Sequence, residues 1–440
     1  MNEVMQEAVL AGIDPEAIAR DTLAFVEVTS ETGAEGEGSL FLADLLKREG
    51  FDVELDEVET GRPNVYAKVP GSDRSAPALL FNGHTDTIPV GESTPPGREG
   101  DWITGRGTED MKGGLVAMVH AASALRRSGV KLGGDLWLTG VVGHETPVGR
   151  KEGPRRLIEH LGSGKIAASA AVIVEGPCAV WAASLGSAMF EITAASDRGP
   201  IHTIKVPYAE NPARWLGELL AEFSRMERRF EALPHHPLCG RQQLNVGVVR
   251  AGDWFNRLPV NFEVTGTRRW TPGVRCEEVR AELEQLCAQL GERSGLSFEV
   301  ALSNEREPFE TPADHPVVES LCAAAEMFSG SRAEVIGMGL VGDANLYAND
   351  GGLTTVYYGP AHQTAHSDDE RVAVSQLAHC AGVYALMAVA GVAFGVGGSP
   401  LAWPAVNTTV WIPPLGAVAD QFAWATVCNR YSAGGNQESQ

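Results

Sequence analysis

The sequence predicts an α/β protein: a mixed sheet covered by helices, interrupted by an inserted α+β unit of ferredoxin-like type. Three observations predict it. Apolar bursts such as Leu79-Leu80-Phe81 and AAVIVEGP alternate with helical periodicities up to residue 187, the order of a sheet with helices on its faces. From residue 188 to 304 the order becomes strand, long helix, strand, strand, helix, strand, a split β-α-β unit. Helix–strand–helix order then resumes from 305 to 394. A chain of 440 residues also exceeds one ordinary core.

In chain order, PEAIARDTLAFVEVT has apolar positions at helical spacing behind Pro15, and SLFLADLLKRE is a second amphipathic helix closed by Gly50. FDVELDEV, NVYAKVP and ALLFNGHTD read as strands, Leu115 to Arg127 as a helix, and DLWLTGVVGHE as a strand ending in polar residues. A helix begins near Arg155, and AAVIVEGP has the continuous apolar run of a doubly covered strand. In the insert, MFEITAAS, QLNVGVVRAG, VNFEVTGTRRW and LSFEVALSN are the strands; Ala213 to Leu233 and Val274 to Gly295 are the helices. A helix from His315, the strand TTVYYGP, the loop AHQTAHSDDE and a helix from Val372 to Phe394 complete the first unit. Residues 395–440 form a Trp- and Pro-containing tail with few charges, expected to pack on a surface and given no function.

Composition limits the function. The formal charge of −22 argues against nucleic acid or an anionic membrane as a partner. A local metal charge still leaves an anionic small substrate possible. The seven cysteines are scattered without a CxxC pair, and the mixed, acidic N-terminus is no signal peptide, so a cytoplasmic location is expected. The run Ala381 to Gly398 is long enough to span a bilayer, but it is rich in Ala and Gly and lacks basic flanks, so it reads as a buried core helix.

The chemistry gathers where strands run out. LLFNGHTD ends in His84 and Asp86, GRGTEDMKGG is a glycine-punctuated loop offering Asp110, and Glu145 and Glu175 follow two further strands. Imidazole and carboxylate suit a divalent transition metal. Asp86 is spaced to accept the second ring N–H of His84 and fix its tautomer. The plain reading of any lone HxD is a satisfied strand-end histidine with a turn aspartate. His366 in the last loop makes a fifth candidate ligand.

Taken together, HTD, GRGTEDMKGG, VIVEGP and GPAHQTAHSDDE, with GPIHT and GTRRWTPG in the insert, resemble the M20 family of metal-dependent peptidases and deacylases over residues 15 to 394. The resemblance implies a cleft between a catalytic domain (1–187 and 305–394) and a lid (188–304). It implies one or two divalent ions, Mn2+, Zn2+ or Co2+, with Asp110 bridging, His84 and Glu175 on one side, and Glu145 and His366 on the other. It also implies a small carboxylate-bearing substrate, no nucleic acid, no membrane, and a homodimer or higher homo-oligomer.

One departure stands out. The family pattern has two adjacent acids after the fourth strand, a general base and then a ligand, whereas this chain reads VVGHETPVG. In the preferred register His144 stands for the base and Glu145 is the ligand. In the other, Glu145 is the base and Thr146 replaces a ligand, which leaves a single metal. A histidine base is chemically able, with an ordinary pKa of about 6.5; the blander reading is that His144 only supports a ligand. His202 in GPIHT matches the family's lid histidine, an oxyanion stabiliser often supplied by the neighbouring subunit. Asn256 matches a position near the substrate, and Arg268 or Arg269 suits a substrate carboxylate. The plain reading of each is ordinary lid structure. Glu109, beside Asp110, reads as a loop charge.

The expected activity is metal-assisted hydrolysis of a C–N bond. The altered base leaves open a second reaction known from an outlying member of the family, an aromatic aminohydrolysis of 5-nitroanthranilate to 5-nitrosalicylate and ammonia. A third reading is a non-catalytic metal-binding relative.

Overall fold

The computed structural model describes residues 3–73, 75–145 and 148–391. Residue 146 of the alternative register and the tail 395–440 lie outside the described residues. Helices α1 (Glu3–Leu10), α2 (Pro15–Glu27) and α3 (Gly36–Arg48) precede strands β1 (Val53–Glu59), β2 (Arg62–Val69) and β3 (Leu79–His84). Asp14 opens α2 by accepting from the amides of Glu16 and Ala17, with Pro15 inside the first turn. Two short strands, β4 (Gly97–Glu99) and β5 (Trp102–Thr104), lead to α4 (Gly113–Ser128), β6 (Leu136–Val141), α5 (Glu152–Ser163), β7 (Ala170–Ile173) and β8 (Val180–Ser184).

The insert runs β9 (Gly186–Ala195), α6 (Pro212–Ala232), β10 (Gln243–Ala251), β11 (Asn261–Trp270), α7 (Cys276–Ser294) and β12 (Ser297–Arg306). Its strands pair in the order β10-β11-β9-β12, all antiparallel, which is the split ferredoxin-like order. Aromatic and aliphatic residues of α6, β9 and β11, including Phe190, Leu219, Phe223 and Phe262, give this unit its own apolar cluster. The boundaries expected at 187/188 and 304/305 fall inside β9 and β12.

The chain then returns through β13 (Phe309–Glu310), α8 (Pro316–Ser329), β14 (Val335–Met338), α9 (Asp343–Asn349), β15 (Thr354–Tyr357), β16 (Arg371–Ala373) and α10 (Val374–Gly391). The large sheet has the order β1-β2-β6-β3-β7-β15-β8-β13, with β14 also on β8. It is mixed: β1, β2 and β6 pair antiparallel, while β6, β3, β7 and β15 run parallel. Every residue of β3 is buried, and α4 is buried through Leu125, as expected of elements covered on both sides. Gly114 is required at the start of α4, because a Cβ there would lie 1.8 Å from the Val174 carbonyl oxygen. That close approach seats the helix directly beside the end of β7. Among the described residues no helix is long and apolar enough to cross a membrane, and residues 381–388 of α10 are buried in the main core.

Candidate metal centre

Four neighbouring parallel strands finish at the same edge of the sheet, where ligands of an open α/β protein gather. His84 ends β3, Glu145 follows β6, Glu175 follows β7, and His366 follows β15. Asp110 arrives from the loop before α4. These five side chains meet. The donor atoms of His84, Asp110 and Glu175 lie within 4.8 Å of one another, as do those of Asp110, Glu145 and His366. Two ligands about 2.1 Å from one ion are at most ~4.2 Å apart, so each group needs little contraction to form a coordination shell. Asp110 belongs to both groups, and three carboxylates with two imidazoles are the donor chemistry that divalent transition metals take. The donor set therefore fits one or two such ions.

Several of the donors are held from behind. His84 Nδ1 lies 2.9 Å from the Asp86 carbonyl oxygen, so an N–H there leaves Nε2, 2.9 Å from Asp110 Oδ1, as the ligating nitrogen. The Asp86 carboxylate does not take this ring N–H, standing 3.6 Å away. It accepts instead from the amides of His144 (3.1 Å) and Glu145 (2.8 Å) and from the Thr32 hydroxyl (2.9 Å). The expectation that this carboxylate fixes the His84 tautomer is corrected: the turn after β3 aims the backbone carbonyl at the ring and swings the side chain under the next loop. The Asp110 loop is clamped by buried Glu370, which accepts from the amides of Gly107, Glu109 and Asp110 and from Arg106. Glu109 is no free loop charge, since it is buried and accepts from the Thr364 amide at 2.6 Å, tying the Asp110 loop to the His366 loop. His366 itself has φ +66°, an uncommon backbone for a residue with a Cβ and one that clusters at functional sites.

The electrostatics are those of a cluster built for cations. Burial and the Asp110 charge push Glu175 up to about 8. Burial opposes charge on His84, but Asp110, Asp86 and Glu145 outweigh it and raise the imidazole. Bonds to Asp110 and Glu145 push His366 up to about 10. Burial favours a neutral Asp110, yet His366 and His84 override it and hold the acid well below its usual range. Two divalent ions against three carboxylates would leave about one positive charge.

His144 stands beside this cluster. Its ring stacks on that of His84 at 4.0 Å and 6°, and its Nδ1 is 2.9 Å from Asp343 Oδ2 in an ion-pair contact. The other Asp343 oxygen is 3.1 Å from Lys151 Nζ. Burial would raise this buried acid, but His144 and Lys151 drive it below its usual range. The donor atoms of His84, His144 and Glu145 also lie within 4.8 Å of one another. Stacked parallel imidazoles, however, direct their lone pairs along parallel lines, so one ion cannot lie in both ring planes. Sequence reading missed Asp343 and Lys151: the only signal was an aspartate opening the short helix after Gly342.

A cavity of about 560 Å³ opens over the cluster, reaching Asp110, Glu145, Glu175 and His366 on one side and Arg269 on the other. Arg268 is a correction. It is 1% exposed, with its guanidinium 2.6 Å from Gln242 Oε1, 3.2 Å from Glu282 and stacked over Phe230. Alternation along β11 turns it into the small core, so it cannot reach a substrate. His202 is exposed and Asn256 half-buried, and both are outside the cavity lining; they contact each other at 3.3 Å.

Comparison with known proteins agrees with this architecture. The sequence matches Peptidase family M20/M25/M40 over residues 80–390. It is 25% identical over 366 residues to N-formyl-4-amino-5-aminomethyl-2-methylpyrimidine deformylase of Bacillus subtilis, covering 77% of this chain and 85% of that one. It is 28% identical over 396 residues to succinyl-diaminopimelate desuccinylase of Methylorubrum extorquens, covering 82% and 95%. Among solved structures, aminopeptidase PepT of Bacillus cereus aligns with a TM-score of 0.72 at 19% identity over 87% of this chain and 100% of that one. A dinuclear metal binding peptidase from the M20 family of Bacillus subtilis aligns at 0.66 and 15% identity, over 86% and 98%. With its donor cluster at the sheet edge and the family match across most of its length, the chain belongs to peptidase family M20/M25/M40 and is an enzyme, a metal-dependent hydrolase of carbon–nitrogen bonds.

Proposed function

We propose that the chain removes an acyl group from the nitrogen of a small carboxylate-bearing substrate, with His84, Asp110, Glu145, Glu175 and His366 holding one or two ions of Mn2+, Zn2+ or Co2+. The observation that carries this reading is His144, held by Asp343 beside the five converged donors. Divalent ions held there supply Lewis acidity, polarising a carbonyl oxygen and making nearby water easier to ionise. His144 takes the proton from the attacking water as the water oxygen bonds the acyl carbon. The C–N bond then breaks, and His144 returns the proton to the leaving nitrogen. Asp343 stabilises the imidazolium between those events and keeps the far ring nitrogen turned to the reacting atoms. Asp86 holds the His144 and Glu145 amides, so base and ligand keep a constant separation.

An acyl nitrogen is favoured over an aryl amine because the relatives at 25% and 28% identity are a deformylase and a desuccinylase by name. Nothing comparable favours nitroanthranilate. The contact between exposed His202 and half-buried Asn256, flanked by exposed Ile204 and Phe255, supports a homodimer in which this face meets another copy. The acidic charge and cysteines without a CxxC pair support a cytoplasmic setting.

The test is turnover of a panel of N-acyl amino acids, dipeptides and aminobenzoates by the metal-loaded chain. Acyl release that disappears with chelator, returns with metal and drops at least ~100-fold in His144→Ala is expected. Ammonia release from aminobenzoates alone would overturn the reading.

A further inference from the structure

The loop between β6 and α5 carries both His144 and Glu145. Its entry is fixed amide by amide. The Val142 N–H donates to Asn64 Oδ1 at 3.1 Å, and the Gly143 N–H to Glu35 Oε1 at 3.0 Å. The next two, of His144 and Glu145, go to Asp86. Buried amides must find partners somewhere, usually in a helix or sheet ladder. Here three buried side chains from three separate places receive four successive amides: Asn64 in β2, Glu35 ahead of α3, and Asp86 after β3.

Glu35 is the unexpected member. It stands at the N-cap of α3, where an acidic side chain ordinarily receives the first amides of its own helix. It makes no such bond. Its carboxylate turns inward instead and meets the Arg62 fork, with Nε 2.5 Å from Oε2 and Nη2 2.7 Å from Oε1. The remaining Arg62 nitrogen, Nη1, lies 2.8 Å from Glu152 and 2.5 Å from Glu59. Glu152 is the first residue of α5, at the exit of the loop. Arg62 therefore joins the carboxylate that holds the entry of the loop to one that stands at its exit. A buried ion pair adds little stability over apolar packing, and its best use is to specify one geometry.

What this geometry specifies is the turn before His144. Gly143 has φ +73°, and a Cβ there would lie 2.5 Å from the Glu152 carboxyl carbon. Glycine is the most freely rotating residue, so a turn made with it needs an outside hold. The Glu35 bond to its amide supplies that hold. The His144 ring beyond it must meet Asp343 at 2.9 Å and lie over His84 at 4.0 Å to stand at the cavity. Asp86 fixes the amides after the turn, and Glu35 fixes the turn itself.

We propose that Glu35, set by Arg62, is a positioning residue for His144: it pins the left-handed turn at Gly143 and so presents the imidazole to the cavity at one angle. Neither Glu35 nor Arg62 touches the reacting atoms. This rests on the reading of His144 as the base given above, but the hold on the turn is measured without turnover, so the two are tested apart.

The experiment compares the zinc-loaded full chain with Glu35→Ala and Glu35→Gln. Glu35→Ala leaves Arg62 paired with Glu59 and Glu152, so no guanidinium is stranded. Hydrogen exchange over residues 142–145, followed by mass spectrometry, reads the turn; kcat and KM for an N-acyl amino acid, per metal-loaded molecule, read the base. In Glu35→Ala, exchange at 142–145 should quicken ~10- to 100-fold and kcat fall ~10- to 100-fold, with KM and metal content within threefold of wild type. Glu35→Gln should recover part of both, because its carbonyl oxygen can still accept from Gly143. A purely structural role would lower the melting temperature and leave kcat per folded molecule unchanged. A kcat within threefold of wild type in Glu35→Ala, or a loss of kcat with exchange at 142–145 unchanged, overturns the proposal. Should Glu35→Ala fail to melt cooperatively, Arg62→Lys, which keeps the charge but not the fork, decides by the same two readings. If wild type turns over no substrate, the hydrolytic chemistry is rejected and exchange alone decides the hold on the turn.

Discussion

His84, at the end of β3, and His202, in a loop of the insert, are held in contrasting ways. His84 is 1% exposed, with one ring nitrogen 2.9 Å from a backbone carbonyl and the other 2.9 Å from Asp110. The loops around it are fastened by Asp86 and Glu370, each accepting from several backbone amides. His202 is exposed: its Nδ1 accepts a 3.3 Å bond from the Ile204 amide, and its Nε2 touches half-buried Asn256. The difference teaches that the candidate donors at the sheet edge come together within one chain, whereas among the described residues His202 and Asn256 of the insert do not line that cavity. Preorganisation here comes from carboxylates that bind backbone, one layer behind the donors.

The sharpest way to break this contrast is Asp86→Ala. It leaves the His144 and Glu145 amides unpaired but keeps the carbonyl that holds His84. Metal affinity should fall ~10- to 100-fold, with the loss on the Glu145 side, as read by metal titration. Unchanged affinity would mean that the backing carboxylate does not set the site.

A smaller effect concerns protons. In the ion-free chain Glu175 titrates at about 8 and His366 at about 10. Below those values both groups carry a proton that an entering ion must displace. Affinity therefore rises with pH between about 6 and 8, by about tenfold per unit for each proton released. Titrations at three pH values check this, and a flat profile would refute the protonation states.

Thr32→Val removes one of the three donors to the Asp86 carboxylate and should cost about 1 kcal/mol in urea unfolding. On the other side of the comparison, His202→Ala and Asn256→Ala should leave metal content unchanged and stability within ~0.5 kcal/mol. A loss of bound metal in either variant would erase the distinction between the sheet edge and the insert.

The same contrast explains what could be read in advance. His84, Asp110, Glu145, Glu175 and His366 were legible because each follows a strand or a glycine-marked loop, and strand ends of a parallel sheet share one edge. The β-α-β-β-α-β order of the insert was legible from its alternating and helical periods. Arg268 and Arg269 were not separable, since alternation says that neighbours face opposite ways but not which is inside. Asp343 and Lys151 were invisible because their partnership with His144 joins distant segments, and nothing local in GDAN announces a contact. Asp86 was identified but given the wrong partner, because two-residue spacing does not distinguish a side-chain acceptor from a carbonyl.

Strand β15 enters the large sheet between β7 and β8, although it is made long after both. A chain cut before residue 354 keeps His84, Asp110, Glu145 and Glu175 in its sequence but lacks both the strand that joins β7 to β8 and the segment that carries His366. The last inner strand of the sheet and the last imidazole of the cluster thus come from one short stretch, which serves the fold and the donor set together.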